Sequence, residues 1–172
     1  LLHRAEFTDT KLQDAIKKFE SDFQKRFDLA GRGFGTPIEL TAYDRIIRIK
    51  KNEFKTAIHE IDKSSNNALI NTMFNSARKG IGSKEELQIY NKVMQDALEE
   101  FRAYMVTEYA NNPQSITGKL KRIIADFIAA IRVALVRAGL DFGMVRSLSP
   151  SDLFAMSGYG ANVDGIAQGN GG

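Results

Sequence analysis

The stretch TKLQDAIKKFESDFQKRF, Thr10 to Phe27, places Leu12, Ile16, Phe19, Phe23 and Phe27 at steps of four, three, four and four. Residues so spaced stack on one face of an α-helix. Lys17, Lys18, Glu20, Asp22, Lys25 and Arg26 largely occupy the other side. Asp9 or Thr8 can accept the free N–H groups at the start, and Gly31, Gly33 and Gly35-Thr36-Pro37 stop the helix. No segment of the chain alternates apolar and polar residues as a half-buried strand does. The expectation is an all-α bundle of about five main helices, with a short C-terminal helix and a Gly-rich tail.

Outward from this first helix, a second is expected from about Pro37 to Lys63, with Leu40, Tyr43, Ile47, Phe54, Ile58 and Ile61 in one arc. In a third, Leu69, Met73 and Ala77 are expected to face inward with Ile70 and Phe74 beside them, before Gly80-Ile81-Gly82. Ser83-Lys84-Glu85-Glu86 has the capping-box form and opens a long fourth helix with the stripe Leu87, Tyr90, Val93, Met94, Leu98, Phe101 and Met105. The fifth, from about Pro113 to Ala138, carries Leu120, Ile124, Phe127, Ile131 and Leu135, extended by Ile123, Ile128, Val133 and Val136. So little of its circumference is polar that it is expected at the centre of the bundle. Ser149-Pro150-Ser151-Asp152 then starts the short last helix.

The 172 residues are 43% hydrophobic, with 24 Lys+Arg against 21 Asp+Glu, which excludes wholesale disorder. One helical domain over 1–156 with a flexible tail over 157–172 fits this length. The absence of Cys rules out disulfide frameworks and thiolate chemistry, and two His are too few for a His-rich metal centre. The chain opens Leu1-Leu2-His3-Arg4 and closes Gly169-Asn170-Gly171-Gly172, which reads as a piece of something longer. It has neither a signal-peptide pattern nor a membrane-length apolar run, so a cytoplasmic or virion-associated location is expected.

Few constellations suggest chemistry. Gly31-Arg32-Gly33-Phe34-Gly35 could cradle a phosphate, but it follows an amphipathic helix rather than a strand and lacks Gly-Lys-Ser/Thr, so a helix-to-helix turn is the better reading. His59 has no imidazole near it in sequence, and Asp96, Glu99 and Glu100 read as a solvated face. No catalytic, metal or cofactor-binding residue is assigned. The basic residues are better organised: Arg45, Arg48, Lys51 and Lys55 share one side of the second helix, and Lys119, Lys121 and Arg122 open the fifth. Residues 113–139 carry a net charge of +4 in a chain of +3, so positive charge is concentrated there. Such stripes suit nucleic-acid phosphates or an acidic partner, through contacts indifferent to sequence and sensitive to salt.

The run Ile116-Thr117-Gly118-Lys119-Leu120, through Phe127-Ile128-Ala129-Ala130-Ile131-Arg132 and Leu135-Val136-Arg137-Ala138-Gly139-Leu140, to Ser149-Pro150-Ser151-Asp152-Leu153 resembles helical segments of the large polyvalent proteins of phages and conjugative elements. The resemblance covers about 113–156 and carries no catalytic residues. It implies a helical module within a long multidomain protein delivered with DNA. The leading expectation is therefore a non-enzymatic interaction or structural module that packs against neighbouring domains of a parent polyprotein or against copies of itself. Alternatives are a sequence-indifferent DNA- or RNA-binding bundle, and a helical lobe of a larger enzyme.

Overall fold

A computed structural model describes residues 9–159. Helices α1 (Thr10–Gly31), α2 (Pro37–Ile61), α3 (Asn67–Arg78), α4 (Lys84–Asn111), α5 (Gly118–Arg137), α6 (Phe142–Ser147) and α7 (Pro150–Ser157) follow one another, with a 3-10 turn at Pro113–Ser115. No strand occurs among the described residues, and the chain is an all-α bundle. No helix among them is long and apolar enough to cross a membrane.

Local chemistry sets the boundaries. Asp9, Asn66, Ser83, Asp141 and Ser149 each accept a backbone N–H from the first turn of the helix that follows. At the end of α1 the Phe34 N–H donates to the Leu29 carbonyl and the Gly33 N–H to that of Ala30, a Schellman closure. It needs a left-handed residue, supplied by Gly33 at φ +87°.

The stripe of α1 is buried as its spacing requires: Leu12, Phe19, Phe23 and Phe27 lie in the core and Ile16 packs against it. α1 packs mainly on α5, and α2 mainly on α4, with α3 laid across both α2 and α4. The Phe19 and Phe127 rings stack with centroids 4.1 Å apart and 17° between planes, joining α1 to α5. A second, smaller core of Phe54, Ile58, Ile70, Phe74 and Val93 joins α2, α3 and α4.

Several expectations are corrected. In α3 Ala77 is buried as expected, but Ile70 and Phe74 take the inward places expected of Leu69, which is 46% exposed, and Met73, which lies at the margin. Ile61 ends α2 in solvent, 52% exposed. α5 starts at Gly118 rather than at about Pro113: Gly118 takes φ +66°, and the extended residue Ile116 drops fully into the core. Nor is α5 central, since Val133 and Val136 face outward at 50% and 39% exposure. α4, which touches α1, α2, α3, α5 and α7, is the element with most neighbours. A short helix not anticipated, α6, buries only Val145.

The expected tail starts too early, because Ser157 closes α7 and Tyr159 packs edge-on against both Phe19 and Phe127. Its remainder, 160–172, lies outside the described residues.

Phe127→Ala should cost about 3–5 kcal/mol, the range for a large ring lost from a filled core. Val133→Ala should change stability by no more than about 0.5 kcal/mol. Paired denaturant titrations measure both, and equal losses would contradict the outward placement of Val133.

Candidate functional site: the basic seam between α1 and α5

The two helices run antiparallel. At one end Arg137 of α5 meets Asp9, the N-cap of α1, with nitrogen and carboxylate oxygen 2.7 Å apart. At the other end, the last turns of α1 lie beside the first turns of α5, and a groove of about 270 Å³ opens between them. Lys18, Lys25 and Arg26 of α1 and Lys119 and Arg122 of α5 line it, against the two carboxylates Asp22 and Asp126. Leu29 and Ile123 supply apolar surface.

These cations are not equivalent. Lys18 Nζ is held 2.8 Å from Asp22. Arg26 donates Nε and Nη2 to the two carboxylate oxygens of Glu39, each at 2.8 Å. Glu39 is fully buried, and its Oε1 also accepts from the Thr36 N–H and hydroxyl, both at 2.9 Å. Burial pushes the Glu39 carboxyl up, but the Arg26 guanidinium and the Thr36 donors together outweigh it and hold the group below its ordinary value. This clasp ties α1 to the start of α2. Lys25, Lys119 and Arg122 meet no carboxylate within ion-pair distance among the described residues.

The first turn of α5 contains no acid, and the Thr117 side chain makes no capping hydrogen bond. Cations at a helix N-terminus oppose the helix dipole, so Lys119, Lys121 and Arg122 stand where negative charge is favoured.

The residues singled out from sequence do not form one surface. Lys119 and Arg122 enter the groove, whereas Lys121 is exposed without lining it. Arg45 and Arg48 are exposed on α2. Lys51, further along α2, has its ammonium 5.3 Å from the centre of the Phe74 ring, and Lys55 is half-buried. α2 and α5 make no substantial contact, so the two stripes lie on separate surfaces. Lys25 and Arg26, assigned to a polar face by their spacing, belong to the seam instead. Their periodicity marks the side of α1 they occupy, but only the packing of α5 makes that side a groove wall.

The phosphate-loop alternative finds no support, since the Arg32, Gly33 and Phe34 N–H groups are spent on carbonyls of α1. His59 is exposed. The acidic face on α4 is only partly solvated: Asp96, Glu99 and Glu100 are half-buried, and Glu100 lies 2.9 Å from the buried Lys50, which Glu53 also meets at 2.8 Å. Comparison with protein-family models, curated proteins and solved structures finds no match to this chain.

The sign of the Glu39 shift fixes a pH dependence. A carboxyl held below its ordinary value of 4.5 contributes stability that is present above that pH and is lost as pH falls through the lower folded value. Glu39→Gln should therefore destabilise the protein at neutral pH by about 3 kcal/mol, as breaking a buried pair does. It should also flatten the loss of stability in acid. Urea midpoints of both proteins across an acid-to-neutral series check this, and parallel curves would refute it.

Proposed function

We propose that this bundle is a non-enzymatic interaction module of a larger phage or mobile-element protein, and that it docks an acidic, apolar-faced helix of a neighbouring domain. The observation that carries this reading is the outward face at the end of α5 and on α6. Val133 and Val136 stand exposed there with Ala129 one turn before them, and Phe142 and Met144 follow at 62% and 48% exposure. Exposed apolar clusters of this kind mark interaction surfaces. Arg146 is exposed on α6 beside this cluster, with its guanidinium 5.7 Å from the Phe142 ring centre. A cation at this edge favours an acidic partner over a second copy of the same surface. The origin in a phage or conjugative element rests on the resemblance over 113–156 alone.

Nucleic-acid binding along both basic stripes has less behind it at α2, where Lys51 is engaged with an aromatic ring and Lys55 is half-buried.

The isolated chain should sediment as a monomer. In the parent protein, a photo-crosslinking residue replacing Val133 should capture an acid-rich helix of another domain, while one replacing Arg48 should not. Equal capture at both positions would refute the reading. A concentration-dependent dimer abolished by Val133→Glu would put a second copy in place of the neighbouring domain.

A further inference from the structure

The α1–α5 groove lies apart from the apolar end of α5 and α6, and its chemistry is different. We propose that it binds the phosphodiester backbone of a single-stranded polynucleotide, with Lys25, Lys119 and Arg122 as the contacting cations. This inference does not depend on the docking role proposed above; it relocates nucleic-acid binding from two stripes to one groove.

Three observations converge on it. The groove is a real concavity, about 270 Å³, between two helices whose facing residues are five cations and two carboxylates. Of the cations, Lys18 is engaged by Asp22 and Arg26 by Glu39, so the pairing that folds the protein leaves Lys25, Lys119 and Arg122 without a carboxylate among the described residues. Those three come from opposite walls with Asp126 as the one groove carboxylate outside an ion pair among the described residues, so positive charge there exceeds negative and an added anion is favoured. The acid-free first turn of α5 adds to the same field, as its peptide dipoles direct positive potential outward beside Lys119 and Arg122.

The shape also limits the ligand. Leu29 and Ile123 give the groove an apolar portion, suited to the sugar or base edge of a flexible strand. Among the described residues no aromatic side chain lines it, so bases have no stacking platform there and recognition rests on phosphate. Asp126 is the built-in opponent: it lies among the cations, and an incoming phosphate must share the site with it.

The test is fluorescence anisotropy of labelled oligothymidylate with the full chain, across a salt series starting low. Three phosphate contacts give a slope of log affinity against log salt of about −2.1 for a single strand. Lys25→Glu/Lys119→Glu/Arg122→Glu should weaken binding by at least about tenfold and bring the slope near zero. Arg45→Glu/Arg48→Glu should leave the slope unchanged. Asp126→Asn should tighten binding several-fold, a gain that misfolding cannot imitate. Equal losses in the groove and α2 variants would show only a diffuse positive field and overturn the proposal. So would an absence of binding at low salt, or a failure of Asp126→Asn to tighten it. Inorganic tripolyphosphate serves as competitor: displacement only at a large excess of phosphate groups over the oligonucleotide supports a polynucleotide ligand, and equal potency per phosphate assigns the groove to small polyphosphates instead.

Discussion

The stack of Phe19 on Phe127 fixes the rest of the molecule. Phe19 also meets Phe23 and Tyr159 edge-on, and Phe127 meets Phe154 and Tyr159, so α1, α5, α7 and the residue after α7 converge on one pair of rings. Flat rings interdigitated at this density leave α5 one rotational setting about its axis. That setting decides what α5 presents elsewhere: Lys119 and Arg122 fall into the seam with α1, and Val133 and Val136 fall outside. The charged groove and the apolar end of the bundle are thus both consequences of a packing decision made in the core.

Ionic contacts refine that frame. The Arg26–Glu39 pair gains from bidentate geometry and from the extra Thr36 donors, which offset the loss of water around a fully buried carboxylate. Because Arg26 is drawn toward α2, it lines the groove as a wall and not as a free cation. The same economy governs Lys18, so the seam's available charge is what remains after folding has used its share.

Much of this was legible in the residues. The four-three-four-four spacing of α1 dictated its buried face, and Asp9, Ser83 and Ser149 announced their helix starts by capping chemistry. α3 shows where such reading stops: Leu69 and Met73 form as good a four-residue ladder as Ile70 and Phe74, and only the positions of α2 and α4 select the second. α5 was misplaced for a related reason. An apolar surface nearly all round signals burial, yet Val133 and Val136 have no helix to cover them among the described residues. Nothing in the spacing of Glu39 and Lys50 marks them as buried, because their partners Arg26 and Glu100 lie on other helices. The groove combines both difficulties, since each wall was visible as a polar face and their adjacency was not.

Lys50 lies at the junction of the two hydrophobic cores. Along α2, Ile46 and Ile47 belong to the larger core and Phe54 and Ile58 to the smaller, and the buried ammonium between them is held by Glu53 and by Glu100 of α4. A charged layer of this kind interrupts the apolar continuity through which cooperativity spreads. The distal half of α2, α3 and the start of α4 are tied to the larger core by two continuous helices, one ionic knot and Met94, which packs against both cores. So narrow a junction lets α3 open while the Phe19–Phe127 stack stays closed, and the expected consequence is two levels of resistance to opening rather than one.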